Sequence, residues 1–81
     1  MQLEILTPEK KLFAGSAEMV TLPGIDGGFQ ILDRHAPLIS ALTKGEIKIK
    51  SEGKEEKFMI SGGFADCQNN KVIVLVEKVL A

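Results

Sequence analysis

The sequence predicts an all-β domain, a sandwich or barrel built from many short strands. Three observations carry that expectation. Apolar residues recur at every second position more regularly than at a helical spacing. Turn signals such as Pro23-Gly24, Glu52-Gly53 and Asn69-Asn70 interrupt the chain at short intervals. The 81 residues, 44% hydrophobic and 26% charged, suit one ordinary globular domain and are too few for two.

The elements follow in order. Gln2-Leu3-Glu4-Ile5 alternates, so Leu3 and Ile5 share a face, and Pro8 then ends the run. Residues 11–14 form a second piece before Gly15, and residues 16–22 form a third that stops at Pro23-Gly24. Residues 37–44 fit a helical spacing as well as a strand, and Pro37 and Gly45 confine the segment to about two helical turns, too short to stand alone. Strands on both sides favour a connection between sheets. After Gly45, Glu46, Lys48 and Lys50 alternate with Ile47 and Ile49, giving one wet face and one buried face. The partner strand spans residues 54–61, with Phe58 and Ile60 on one face and Glu52-Gly53 as the hairpin turn. Gly62-Gly63 marks a bulge or a bend between sheets. A second hairpin closes at Asn69-Asn70.

Val72-Ile73-Val74-Leu75-Val76 breaks the alternation and implies burial on both faces. Either this is a central strand inside the sandwich, or one of its faces is covered by another subunit.

Composition excludes several function classes. Ten basic residues against eleven acidic ones give a net charge of −1, without the basic excess of a nucleic-acid binder. No apolar run approaches the roughly 20 residues of a membrane span, and no signal-peptide pattern opens the chain, so the expected location is the cytoplasm, or the equivalent compartment behind an energy-transducing membrane. Cys67 is the single cysteine, so no internal disulfide forms, and a lone thiol among strand residues reads as structural. With no Trp, no Tyr and four Phe, the chain lacks the aromatic platforms of a carbohydrate-binding module.

Catalytic constellations are thin. There is no phosphate-cradling Gly-Lys-Ser/Thr loop and no Gly-x-Ser-x-Gly elbow. One His and one Cys do not supply a zinc site. Neither a catalytic residue, a metal nor a cofactor is expected. The main rival reading is a free-standing β-sandwich module that binds carbohydrate or a peptide. A small enzyme using His35 as base is the second, and it requires a turnover that His35→Ala abolishes.

Two segments are candidate binding surfaces. Pro23-Gly24-Ile25-Asp26-Gly27-Gly28-Phe29 holds three glycines in seven residues. It is either a surface turn whose glycines relieve backbone strain or a tip whose bare backbone lets another protein approach. Asp33-Arg34-His35-Ala36-Pro37-Leu38 packs charges and a proline into one loop, either as solvated turn chemistry or as a docking surface.

Taken in order, the segments carry a resemblance. Leu3-Glu4-Ile5-Leu6-Thr7-Pro8-Glu9 with Phe13-Ala14-Gly15, Val20-Thr21-Leu22-Pro23-Gly24, His35-Ala36-Pro37-Leu38 before Gly45, and Ile60-Ser61-Gly62-Gly63-Phe64 before the valine-rich run together resemble the epsilon subunit of F-type ATP synthases. The likeness spans essentially the whole chain; the ordered set is specific, though no single motif is. It implies a β-sandwich of about ten strands over residues 1–81. It also implies a non-catalytic place in the central rotor, bound to the gamma subunit and seated on the c-ring, and only indirectly linked to the catalytic alpha/beta head. Such a subunit is peripheral to the cytoplasmic face of the inner (plasma) membrane. Carried over by position, Asp26, Gly27, Gly28, Phe29 and His35 would face the c-ring, and His35, Leu38 and Ser40 would face gamma.

The chain departs from the family pattern in three places. Gly28 stands where many members carry a carboxylate, so a polar ring contact is either missing or supplied by Asp26. Asp33-Arg34 replaces a common Pro-Gly. The sequence stops at Ala81, where typical members continue into a two-helix C-terminal domain, so no helical hairpin is expected here and no latency from an inhibitory arm.

Overall fold

Leu3 and Ile5, the apolar half of the first alternating run, are completely buried in the computed structural model, which describes residues 1–81. Nine strands follow one another without a helix: β1 (Gln2–Leu6), β2 (Lys11–Ser16), β3 (Met19–Leu22), β4 (Phe29–Leu32), β5 (Leu38–Leu42), β6 (Gly45–Ser51), β7 (Lys54–Ile60), β8 (Gly63–Gln68) and β9 (Lys71–Val76). They form a five-stranded sheet in the order β2-β1-β9-β8-β5 and a four-stranded sheet in the order β4-β3-β6-β7. Only β1 and β9 pair in parallel. The sixteen buried apolar residues form one cluster, contributed by the inward halves of both sheets. The fold is the expected all-β sandwich.

Nine strands stand where about ten were expected. A short tenth pairing comes from the chain end: Val79 bridges Ile60, the Met59 N–H donates to the Ala81 carbonyl at 2.9 Å, and the Leu80 N–H donates to the Met59 carbonyl at 2.7 Å. These bonds cover one end of β7, an edge strand otherwise protected by its run of charged residues Lys54, Glu55, Glu56 and Lys57.

Both hairpins close as the turn residues dictate. Glu52 and Gly53 have φ of 53° and 76°, and Asn69 and Asn70 have 50° and 58°; two consecutive positive values match the right-handed twist of the flanking strands. The run over residues 16–22 behaves differently from the expected single strand. Ser16 ends β2 in one sheet and Met19 opens β3 in the other, because Ala17 turns into the core at 3% exposure with its N–H donating to the Met1 carbonyl at 2.9 Å. Residues 37–44 resolve as strand β5 followed by the link to β6, so the segment does join the sheets. Gly62 and Gly63 likewise carry the chain from β7 in one sheet to β8 in the other.

The valine-rich strand is buried on one face only. Val72, Val74 and Val76 enter the core, whereas Ile73 is half-buried and Leu75 is 53% exposed on the outer face. Burial of both faces, expected from the unbroken apolar run, is therefore absent within this chain, although β9 is central in its sheet. The reason is that a nine-strand sandwich has only two layers, so nothing of its own covers the outside.

Candidate functional site

The outer face of the five-stranded sheet is built by strand parity. In β5 the side chains of Leu38, Ser40 and Leu42 alternate inward, which turns Ile39 and Ala41 outward. In β8 Ala65 and Cys67 are buried, which turns Phe64 and Asp66 outward. Register then aligns these residues in two rows. Ala41, Phe64, Leu75 and Leu6 stand opposite one another across β5, β8, β9 and β1, and Ile39, Asp66, Ile73 and Glu4 form the next row. Ile39 is 75% exposed and Phe64 59% exposed. Ile39, Phe64, Ala65, Asp66, Ile73 and Leu75 line a shallow depression of about 350 Å³, in which Asp66 is the one polar residue. A second depression, lined by Leu6, Pro8, Phe64 and Leu75 among others, continues it toward the β1–β2 turn. This contiguous apolar surface lies on the outside of a small domain, where such patches mark partner sites.

The glycine-rich segment forms the β3–β4 turn at one end of the sandwich. Its root is tied to the end of β5: the Ile25 N–H donates to the Ala41 carbonyl at 3.0 Å, and the Thr43 N–H donates to the Pro23 carbonyl at 2.8 Å. Ile25, Asp26, Gly27 and Gly28 are exposed at the tip. Phe29 is not. Its ring is half-buried against the core and lies over Gly24, where an added Cβ would come within 2.8 Å of it. The tip thus has three exposed candidates, Asp26, Gly27 and Gly28, supported from below by Phe29.

His35 is placed elsewhere. The four residues of β4, about 10 Å of strand, separate the tip from the loop over residues 33–37, so the two segments occupy opposite ends of the sandwich. The His35 side chain is exposed, with Nδ1–H donating to the Ala36 carbonyl at 2.7 Å, and its backbone carbonyl lies 3.9 Å from Sγ of Cys67 in β8. Arg34, His35, Ala36, Pro37, Asn69 and Asn70 line an open polar cleft. Asn70 ties this end together, accepting from the Arg34 N–H at 2.7 Å and donating to Asp33 Oδ1 at 3.0 Å. The Met1 ammonium donates to the same Asp33 oxygen at 2.6 Å. Those two donors hold the Asp33 carboxyl below the usual carboxylate range. Leu38 and Ser40 face the core side of β5, and Ile39 between them takes the outward position.

Among the residues on the apolar face, Ile39, Phe64 and Leu75 were missed by sequence reasoning. Only the unbroken run over residues 72–76 hinted at a covered outer face, and it hinted at one strand of three.

A family model described as the ATP synthase, Delta/Epsilon chain, beta-sandwich domain matches residues 1–81. The chain belongs to that family. The ATP synthase epsilon chain of Chlorobium limicola is 44% identical over 79 residues, covering 96% of this chain and 90% of the relative. The epsilon chain of Desulforamulus reducens is 41% identical over 76 residues, covering 94% of this chain but 58% of the relative. The sandwich is thus the part shared by epsilon chains of two lengths. A chain in the Euglena gracilis mitochondrial ATP synthase structure (OSCP/F1/c-ring) superposes with a TM-score of 0.89 at 21% identity, over 96% of this chain and 51% of that one. A chain in the central stalk/c-ring structure of the Tetrahymena thermophila enzyme gives 0.84 at 16% identity, over 98% and 64%. At those identities the likeness shows the fold alone. No helix of this chain is long and apolar enough to cross a membrane.

Proposed function

We propose that this epsilon chain is a non-catalytic rotor subunit that links gamma to the c-ring and couples ion flow through the membrane to ATP synthesis in the catalytic head. The observation that carries the reading is the apolar outer face of β5, β8 and β9, with Ile39, Phe64 and Leu75 each more than half exposed. Water contact with so much apolar surface is unfavourable for the isolated domain, and a docked subunit removes it.

Gamma takes this face. Ile39 does the work first expected of Leu38 and Ser40, which support it from the inner side of the same strand. His35, in the loop that leads into β5 and far from the tip, belongs to the gamma side rather than to the ring. The c-ring meets the opposite contact, the tip carrying Asp26, Gly27 and Gly28, with Phe29 stiffening it from beneath. Asp26 supplies the charge there, and the bare glycine backbone permits close approach. The chain then sits on the cytoplasmic face of the membrane through the ring. The Tetrahymena structure is of a central stalk with its c-ring and the Euglena structure of an OSCP/F1/c-ring assembly, which supports this reading.

The test is capture of tagged protein from gently solubilised membranes of its own cells, with the retained partners identified by mass spectrometry. Recovery of gamma with the catalytic subunits supports the proposal; recovery of neither overturns it.

A further inference from the structure

The outer face of the five-stranded sheet carries two carboxylates with opposite circumstances. Glu4 is neutralised by two lysines, Lys11 Nζ at 3.3 Å and Lys71 Nζ at 3.9 Å. Asp66 takes part in none of the ion pairs of the chain. One of its oxygens accepts a 3.3 Å hydrogen bond from Gln68 Nε2, which leaves its charge unbalanced. Yet Asp66 is the more central of the two. Ile39 and Ile73 stand directly opposite it on either side, and Phe64 precedes it on the same face of β8.

We infer that the polypeptide covering this face presents an arginine to Asp66, inside an otherwise apolar contact. This inference rests on the docking of gamma proposed above and names the chemistry of the contact. An apolar surface laid over the depression would strip water from a carboxylate without compensation, which strongly disfavours binding unless the partner brings a cation. Arginine fits better than lysine. Its guanidinium is weakly hydrated, pairs with a carboxylate through two parallel bonds, and stacks on an aromatic face such as that of Phe64. Apolar neighbours supply the area, while the Asp66 pair fixes orientation and rejects surfaces that lack the charge.

The test measures the affinity of purified gamma subunit for the wild-type chain, Asp66→Asn and Phe64→Ala, each at low and high salt. Asp66→Asn keeps the acceptor for Gln68 and removes only the charge, and a thermal melt establishes that it is folded. We expect it to weaken binding about 30-fold or more, and to flatten the salt dependence. Phe64→Ala should weaken binding with the salt dependence retained. If Phe64→Ala binds as tightly as wild type, the docking face itself is wrong. If Phe64→Ala weakens binding but Asp66→Asn changes it less than about 3-fold, tightens it, or weakens it with unchanged salt dependence, docking stands and the paired arginine is overturned.

Discussion

Phe64 and Leu75 stand opposite each other across β8 and β9, and both project away from the core of their own domain, 59% and 53% exposed. A cross-strand aromatic–aliphatic pair usually strengthens a sheet by shielding the backbone between its strands. Here the pair does so only on one side and leaves its own outer surface wet. Substituting Phe64 with Ser should therefore shift stability by no more than about 1 kcal/mol in urea unfolding. Binding to gamma, in contrast, should fall at least tenfold, since buried aromatic anchors dominate interfaces. A loss of stability without a loss of binding would assign Phe64 to the fold instead.

Gly63 is required by its close approach to β9. An added Cβ would overlap the Leu75 carbonyl oxygen and lie 3.0 Å from the Leu75 carbonyl carbon and 3.2 Å from Val76 Cα. These are backbone atoms of a central strand, which cannot swing aside as a side chain would. Gly63→Ala should destabilise by about 2 kcal/mol or more, read as a lower urea midpoint with an unchanged slope. At Gly62 the nearest atom to a new Cβ is a flexible Glu77 carboxylate oxygen at 2.9 Å, so Gly62→Ala should cost less.

Asp33 gives the fold a defined acid sensitivity. The Met1 ammonium and the Asn70 amide favour its ionised form, so its folded pKa lies below the ordinary 3.8. A depressed carboxylate contributes stability above that ordinary value, and the contribution disappears as pH falls through the folded pKa. The melting temperature of the wild type should thus drop more steeply than that of Asp33→Asn as pH falls from about 4 to 2. Parallel curves would mean that the Met1–Asp33 pair adds nothing to stability.

Cys67 reports on opening of the sandwich. It is 1% exposed, and burial, reinforced by the neighbouring Asp66 carboxylate, pushes its thiol pKa up. A thiol-reactive dye at pH 8 should label the folded protein at least about 100-fold more slowly than the urea-unfolded chain. Labelling at comparable rates would show that β8 opens locally.

The sequence was most legible where a local rule decides the structure. Glu52-Gly53 and Asn69-Asn70 sit at the two hairpin turns because positive φ at consecutive positions limits the residues that fit. Leu3, Ile5, Ile47 and Ile49 enter the core because alternation leaves them no other face. Strand β4 was overlooked, since four residues following a glycine-rich turn carry too short a pattern to register. The break at Ala17 escaped because it depends on Met1, sixteen residues away in the chain. The apolar face was hidden for a related reason. Residues 37–44 read equally well as helix or strand, so no parity could be assigned and Ile39 could not be told from Leu38 and Ser40. Its partners Phe64 and Leu75 come from other strands, and only long-range pairing brings the three together.

Hydroxyl-radical footprinting of Phe64, in the free chain and in the assembled enzyme, tests the central claim most directly. Leu32, 53% exposed on the outer face of the other sheet, serves as the internal reference. If gamma covers the five-stranded sheet, oxidation of Phe64 should fall several-fold on assembly, with Leu75 and Ile39 following it and Leu32 changing less. Equal oxidation of Phe64 in both states would leave the apolar face uncovered and contradict the proposed docking.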